Sequence, residues 1–326
     1  MGYRPELNGL RAIAVTAVVL MHSELGGPFS GGFVGVDLFF VLSAFLITGI
    51  LASDWRDAGC LNFRRFYWRR FLRLMPPLLL MLAAYLAIAP LVWPNYPHGR
   101  DALITALYLS DYAIAFWRVP HYLGHTWSLA IEEQFYLLWP LALPFMLRAK
   151  TPLVWLACAY VMGTLWRTTY ATDFIQSYVR FDTHATGLIL GAALYLSGLR
   201  FGRWAGIVSL GVLAALVLVA WFPYAFLVIP VAEVSSAVLI GSAASLPFLR
   251  HPILVWLGKR SYAVYLWHAP VAEALREHMT LLPTFALTFA ASAALAELSW
   301  QTVEAWSRKV KALGREDDNR LIVPGR

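Results

Sequence analysis

The sequence predicts an all-α protein that crosses a membrane many times. Of its 326 residues, 60% are apolar and only 14% are charged, whereas soluble globular chains carry about 25% charged residues. The 14 Trp, 15 Tyr and 19 Phe suit helices that are anchored by aromatic side chains at the two membrane interfaces. The chain lacks the polar surface of a soluble fold, so we expect a polytopic integral membrane protein.

Ten apolar runs are long enough to form membrane spans, because a bilayer core of about 30 Å requires about 20 helical residues. The predicted spans are 8–25, 33–52, 76–93, 126–147, 152–170, 183–199, 204–222, 226–248, 261–279 and 284–305. A further run, 102–117, contains Ser110 and Asp111, and these polar residues favour a re-entrant or interfacial helix. We therefore expect about ten transmembrane helices and one helix that does not cross.

The distribution of Lys and Arg indicates the orientation. With the N-terminus in the cytoplasm and 102–117 not crossing, five of the 26 Lys and Arg lie on the outer side. They are Arg100, Arg118, Arg167, Arg180 and Arg276. This positive-inside bias predicts that both termini are cytoplasmic. It also accounts for the net charge of +7 without a nucleic-acid partner, and we expect none.

We divide the chain into a transmembrane domain, 1–306, and a polar cytoplasmic tail, 307–326, which we expect to be disordered. The two cysteines are too few for a disulfide framework or a cysteine-based zinc site. His121 and His125 would share a helix face, but Pro120 and Gly124 favour a loop there. We expect no metal, and any chemistry must take place among the helices.

Ionisable residues inside predicted spans are candidate functional residues, because each costs at least about 2.5 kcal/mol to insert. On the predicted topology, an outer layer combines imidazole groups with carboxylates, the combination that general base catalysis on a hydroxyl requires. Its members are His22, Asp37, Glu132, Glu133, Arg180, Asp182, His184 and His268.

An inner layer is rich in arginine. Arg11 lies at the inner end of the first span, about 16 Å of helical rise from His22, and the basic run Arg69, Arg70 and Arg73 lies on the same side. A planar guanidinium matches phosphate, so these residues are candidates for binding a polyanionic cytosolic ligand. The alternative is that the basic run only flanks a span on the positive side.

Five motifs in order carry a family resemblance. They are YRPELNGLRA (3–12) with His22 eleven residues after Arg11, GFVGVDLFFVLS (32–43), RRFLRLMP (69–76), TWSLAIEEQFY (126–136) and GKRSYAVYLWH (258–268). The chain resembles acyltransferase family 3, the membrane O-acyltransferases that include bacterial O-antigen acetylases. It departs from the family pattern at Asn8, where Asp is common, and at Ala44, where Gly is usual.

The resemblance implies transfer of an acyl group, commonly acetyl from acetyl-CoA, to a carbohydrate hydroxyl, often on the far side of the membrane. It implies an active site at His22, supported by Arg11 and the basic motif, and it favours Glu133 over Glu132. Some members carry an extracytoplasmic esterase-like domain, which we expect to be absent here. We expect a multi-pass protein of the bacterial inner membrane.

Three groups of site residues follow from the layers and the resemblance. The predicted catalytic residues are His22, Asp37 and Glu133, with His22 as general base or acyl carrier and Asp37 orienting its imidazole. The predicted acyl-CoA-binding residues are Arg11, Arg69, Arg70 and Arg73. The predicted acceptor-binding residues are Glu132, Arg180, Asp182 and His268. Alternatives stay open: Arg180 and Asp182 could form a surface ion pair, Asp37 could be an interface carboxylate, and His268 could be a packed polar residue.

The predicted function is O-acylation of a carbohydrate or glycolipid acceptor, with acyl-CoA as co-substrate and membrane lipid as surroundings. A homo-oligomer is left open. One alternative is a transporter or flippase of a glycan or small polar solute, although we detect none of the internal symmetry that is common in transporters. A second alternative is an enzyme that acylates a small molecule such as an antibiotic sugar.

Overall fold

The computed structural model describes residues 3–24, 27–170, 173–220 and 224–322, with the backbone alone for Ala225 and for 313–322. Within these ranges the protein is built from α-helices and short 3-10 turns, with no strand. The helices are α1 (Pro5–Ser23), α2 (Val34–Ala58), α3 (Phe63–Val92), α4 (His98–Ala106), α5 (Ser110–Trp117), α6 (Trp127–Arg148), α7 (Pro152–Thr168), α8 (Phe174–Tyr178), α9 (Phe181–His184), α10 (Thr186–Ser197), α11 (Arg203–Val219), α12 (Ala225–Ser242), α13 (Pro252–Arg276), α14 (Leu281–Gln301) and α15 (Val303–Ile322). The predicted all-α class is confirmed.

Every predicted span coincides with at least one helix. Within the described ranges, four helical stretches are long and apolar enough to cross a membrane. They are Ser30–Ala58, Phe63–Val92, Phe226–Ser245 and Leu281–Ala312. The other candidates are shorter or carry more ionisable residues, as α6 does with Glu132 and Glu133. The number of ten spans and the side on which each terminus lies therefore stay predictions.

The run 102–117 is divided between two short helices, α4 and α5. Tyr108 has φ +54°, a left-handed conformation that an α-helix cannot continue through. Helices of nine and eight residues rise only about 13 Å each. This part of the chain thus forms no continuous helix of membrane-spanning length.

The segment after residue 306 differs from the expectation of disorder. The helix α15 runs to Ile322 and packs along α3, so residues 307–322 are helical. Ser307 is buried, and Arg308 donates a hydrogen bond to the backbone oxygen of Trp300 (2.9 Å), so contacts with neighbouring helices order the first turns. The residues from 323 onward lie outside the described chain, and a division at residue 306 stays a prediction.

Close contact between α1 and α13 holds the centre of the protein together. A methyl group on Gly258 would lie 1.8 Å from the backbone oxygen of Asn8, so only glycine permits this approach, as is common where membrane helices pack. A similar contact joins α10 to α2, where a methyl group on Gly191 would lie 2.1 Å from the backbone oxygen of Val41. The first contact brings His22 of α1 beside α13.

Candidate active site

His22 and His268 form a pair of rings between α1 and α13. Nε2 of His268 lies 3.3 Å from Nδ1 of His22, and the ring centroids are 4.8 Å apart in an edge-to-face arrangement. His22 is half-buried and His268 is fully buried. Two histidines that are 246 positions apart in the chain are therefore direct neighbours.

The hydrogen bonds around His22 indicate which ring nitrogen carries its proton. Nδ1 of His22 lies 3.0 Å from the carbonyl oxygen of Val18, which can only accept, so Nδ1 donates. Nδ1 of His268 likewise donates to the carbonyl oxygen of Tyr265 (2.6 Å), so Nε2 of a neutral His268 is an acceptor facing His22. This assignment leaves Nε2 of His22 with a lone pair, which is what a general base needs.

A third histidine, His125, completes the group that we call the histidine cluster: His22, His125 and His268. The ring centroids of His125 and His268 are 5.3 Å apart. His125 lies in a 3-10 turn, Gly124–Thr126, before α6, so the loop predicted there is confirmed. The hydroxyl of Tyr265 donates to the carbonyl oxygen of His125 (2.8 Å) and thereby fixes this turn against α13.

A cavity of about 60 Å³ is lined by Arg11 of α1, Arg70 and Arg73 of α3, and Glu132 of α6. We call it the arginine cavity. The guanidinium of Arg70 lies 3.5 Å from the centroid of the Tyr136 ring, a cation–π contact that holds it in place. The structure thus brings together three of the four arginines predicted to bind an anionic ligand.

The fourth predicted arginine, Arg69, lies outside the linings of the cavities described here. It is half-buried on α3, one position before Arg70. Neighbouring residues on a helix point about 100° apart, so the two side chains face different surroundings. The predicted ligand role of Arg69 has no geometric support of the kind that the other three arginines have.

The arginine cavity ends close to the histidine cluster. Ser128 and Tyr265 form part of its wall, with 2.6 Å between their hydroxyl oxygens. The ring centroid of Tyr265 lies 5.1 Å from that of His268. His22 is not among the lining residues, so the two predicted layers are neighbours separated by Tyr265.

Glu132 and Glu133 face two different cavities. Glu132 lines the arginine cavity, whereas Glu133 lines a separate cavity of about 120 Å³ with Tyr108 and Tyr136. Oε1 of Glu133 lies 3.9 Å from Nε of Arg70. Glu132 is therefore the one of the pair that lines the arginine cavity, whereas the resemblance favours Glu133, and the role of each stays a prediction.

Asp37 does not contact His22, contrary to the expectation that it orients that imidazole. Its Oδ1 lies 2.9 Å from Nε2 of His184, and its Oδ2 has no hydrogen-bond partner among the described residues. Nδ1 of His184 faces the carbonyl oxygen of Tyr178 at 2.5 Å. The helix α2 carries Asp37 toward α9 and α10 rather than toward α1, so the carboxylate belongs to another group of residues.

That group, which we call the paired cluster, consists of Asp37, Arg167, His184 and Glu233, all fully buried. Arg167 on α7 lies 3.5 Å from Oε1 of Glu233 on α12 and donates to the backbone oxygen of Thr183 (2.6 Å). Arg167 therefore faces Glu233 and His184 faces Asp37, and these two contacts tie α2, α7, α9 and α12 together.

Among the described residues, one group could hold a metal ion: Asp37, His184 and Glu233, whose ligand atoms lie within 4.8 Å of one another. The guanidinium of Arg167 faces Glu233, and the ring nitrogens of His184 face the oxygens of Tyr178 and Asp37. Each of the three residues therefore has a partner within the protein, and the expectation of no metal stays a prediction.

Arg180 and Asp182 form an ion pair in the loop before α9. Nε of Arg180 lies 2.9 Å from Oδ1 of Asp182, and Trp166 donates to Oδ2 (2.8 Å). Burial raises the pKa of Asp182, but the hydrogen bonds from Arg180 and Trp166 outweigh it and lower that pKa. Of the two alternatives for these residues, the structure shows the ion pair.

Several residues of the site were not among the predicted site residues. His125 was considered only as half of a metal-binding pair, and Ser128 and Tyr265 lie in recognised motifs without an assigned role. Arg167 and Glu233 lie in predicted spans, 152–170 and 226–248. The cost of inserting a charge into a membrane could have flagged both, although it would not have shown that they pair.

The described helices thus bring the histidine cluster close to the arginine cavity, with Tyr265 between them, and the comparison with known families gives the class of protein. The chain belongs to acyltransferase family 3: the family described as an acyltransferase domain matches residues 4–299. The predicted family is therefore confirmed, and so is the prediction that the protein is an enzyme that transfers acyl groups.

The relatives that match this chain are named as O-acetyltransferases. The chain is 32% identical to the peptidoglycan O-acetyltransferase OatA of Listeria monocytogenes, over 94% of this chain and 56% of that protein. It is 30% identical to the O-acetyltransferase OatA of Staphylococcus aureus, over 94% of this chain and 57% of that protein. The chain thus spans just over half the length of these relatives. No solved structure matches it significantly.

Proposed function

We propose that the protein is a membrane O-acetyltransferase that moves an acetyl group from cytosolic acetyl-CoA to a carbohydrate hydroxyl. One observation carries the proposal: His22, whose Nε2 keeps a lone pair, lies next to a cavity lined by three arginines. Acyl transfer from a CoA thioester needs both elements, a base for the attacking hydroxyl and a site for the phosphates of the donor.

The donor lies in the arginine cavity in this proposal. Arg11, Arg70 and Arg73 pair with phosphate oxygens, which suit the planar fork of a guanidinium. The slender pantetheine arm extends past Ser128 and Tyr265, so the thioester reaches the histidine cluster. The small volume of the cavity, about 60 Å³, supports a slender chain rather than a bulky solute at this point.

Nε2 of His22 then takes the proton of the acceptor hydroxyl while the hydroxyl oxygen attacks the thioester carbonyl carbon. The tetrahedral intermediate collapses, the C–S bond breaks, and the imidazolium returns the proton to the CoA thiolate. His268 assists by accepting from Nδ1 of His22 and so holding the ring. An acetyl-histidine intermediate at His22 is the covalent alternative.

The proposed acceptor is a glycan of the bacterial cell envelope, or a glycolipid that carries one. The name of the Listeria relative, a peptidoglycan O-acetyltransferase, supports a peptidoglycan-type saccharide. The acceptor would approach His22 from the side opposite the arginine cavity, so that donor and acceptor enter from different faces of the membrane.

The proposed setting is the cytoplasmic membrane of a bacterium, with the ten predicted spans crossing it and both termini inside. The bias of Lys and Arg supports this orientation, as does the division of 102–117 into two short helices. The arginine cavity then faces the cytoplasm. His22 lies about 16 Å further along α1, in the outer half of the membrane.

The test uses purified protein in proteoliposomes with radiolabelled acetyl-CoA and a soluble peptidoglycan fragment as acceptor. We expect labelled acetyl on the fragment, lost in His22→Ala and retained in His278→Ala, a matched change at an exposed histidine. No transfer and no binding of acetyl-CoA by the wild type, together with movement of the saccharide into the vesicles, would establish a transporter instead.

A further inference from the structure

A second cavity of about 250 Å³ adjoins the arginine cavity, where α15 meets α3 and α13. The two cavities share Arg11, Arg73, Ser261 and Tyr262 as lining residues. We call the second one the mouth cavity, because it lies nearer the ends of the helices and is about four times larger. The two cavities therefore lie side by side, with the same four side chains between them.

Five cationic side chains line the mouth cavity: Arg11, Arg73, Lys259, Arg308 and Lys311. Within the described side chains, none of the five has a carboxylate within 4 Å, whereas nine other arginines do. The single carboxylate in the lining is Glu304, which accepts a hydrogen bond from Ser299 (3.3 Å). Among the described side chains, such a concentration of positive charge without a paired carboxylate favours the binding of a polyanion.

The helix α15 supplies part of this charge. Arg308 is held by its hydrogen bond to the backbone oxygen of Trp300 (2.9 Å) and lies 4.1 Å from the centroid of that indole ring. Trp300 also lines the cavity, and its indole ring carries a second guanidinium, that of Arg260, at 5.0 Å. The ring therefore holds Arg308 at the cavity wall by a cation–π contact, so the charge that α15 supplies is fixed in place.

We propose that the mouth cavity binds the 3′-phosphoadenosine end of the acyl-CoA donor, with Lys259, Arg308 and Lys311 around the 3′-phosphate. The proposal rests on the donor assigned above. The diphosphate connects the nucleoside to pantetheine, so it lies at Arg11 and Arg73, which both cavities share. The wider cavity takes the nucleotide and the narrower one the pantetheine arm, and α15 becomes a component of the donor site.

The experiment measures binding of acetyl-CoA and of 3′-dephospho-acetyl-CoA to the full chain in nanodiscs. We expect the wild type to bind acetyl-CoA at least about tenfold more tightly, since a charge-assisted hydrogen bond contributes about that factor. Lys311→Gln should weaken acetyl-CoA binding by a similar factor and remove the discrimination, and Lys259→Gln should do the same. Lys311→Arg should keep the discrimination between the two compounds.

The matched control is Lys309→Gln, because Lys309 is exposed on the same helix and lies outside the cavity lining. It should bind both compounds as the wild type does. Equal affinity of the wild type for the two compounds, or an equal loss in Lys309→Gln and Lys311→Gln, would overturn the proposal while leaving acetyl-CoA as the donor. If the wild type binds neither compound, the donor assignment itself fails.

Discussion

Two groups of ionisable residues lie on different sides of α2, and they differ in how their charges are arranged. In the paired cluster, Arg167 faces Glu233 and His184 faces Asp37, all fully enclosed. On the other side, Arg11 and Arg73 line open cavities without a carboxylate within 4 Å among the described side chains. Pairing inside the protein indicates a structural role, and unpaired charge along a cavity indicates a ligand.

The largest effect is expected from breaking the paired cluster at Arg167. Arg167→Met leaves Glu233 as an uncompensated buried charge, which typically costs about 3–5 kcal/mol. We expect a correspondingly lower free energy of unfolding in detergent, measured by chemical denaturation. The double variant Arg167→Met/Glu233→Met removes both charges and should recover most of the loss. A single variant as stable as the wild type would show that the cluster is not structural.

A smaller loss of stability is expected at Asp37. Asp37→Asn preserves the shape of the side chain but removes the charge that faces His184, and a hydrogen bond to a charged group contributes about 1.5–3 kcal/mol. The free energy of unfolding should fall by that amount, whereas the rate of acetyl transfer per folded molecule should stay close to that of the wild type. A large loss of transfer in a stably folded Asp37→Asn would restore the catalytic role that the sequence predicts for Asp37.

On the other side of α2, Arg73→Gln should change ligand binding rather than stability. The side chain is exposed to its cavities and pairs with no carboxylate in the part of the chain whose side chains are described, so the free energy of unfolding should change by no more than about 0.5 kcal/mol. The KM for acetyl-CoA should rise at least about tenfold. The matched comparison is Arg64→Gln, an exposed arginine at the start of α3, which should alter neither quantity.

The smallest effect is expected at the partly exposed ion pair of Arg180 and Asp182. Asp182→Asn should cost at most about 1 kcal/mol. Because the pKa of Asp182 is lowered in the folded protein, the pair stabilises the fold above the unfolded-state pKa and loses this contribution as the pH falls through the folded-state value. Unfolding measured from neutral to acidic pH should show a difference between wild type and Asp182→Asn that vanishes in acid.

Sequence patterns could predict the relative positions of residues that lie on the same helix. Arg11 and His22 share α1, so their spacing determines their separation, and a charged run on α3 supplies Arg70 and Arg73. The all-α class and the helices themselves followed from apolar runs of membrane-spanning length. The polar residues in 102–117 indicated a helix that does not cross, but the division into two helices at Tyr108 was not predicted.

The partners across helices could not be predicted in this way. His184 lies 147 positions after Asp37, and His268 lies 246 positions after His22, so only the packing of α2, α9, α1 and α13 decides these contacts. The order of α15 likewise depends on the surface of α3. The composition of the tail is polar, but Ser307 is buried against its neighbours. Composition cannot predict this contact, because it depends on how the helices pack.

The most direct test makes the same change at one histidine of each group, His22→Ala in the histidine cluster and His184→Ala in the paired cluster. It measures the free energy of unfolding and the rate of acetyl transfer per folded molecule. We expect His22→Ala to unfold close to wild type and to lose transfer by about 10²–10⁴-fold, the usual contribution of a general base. His184→Ala should be destabilised but keep its transfer. A stably folded His184→Ala without transfer, or an active His22→Ala, would contradict the assignment.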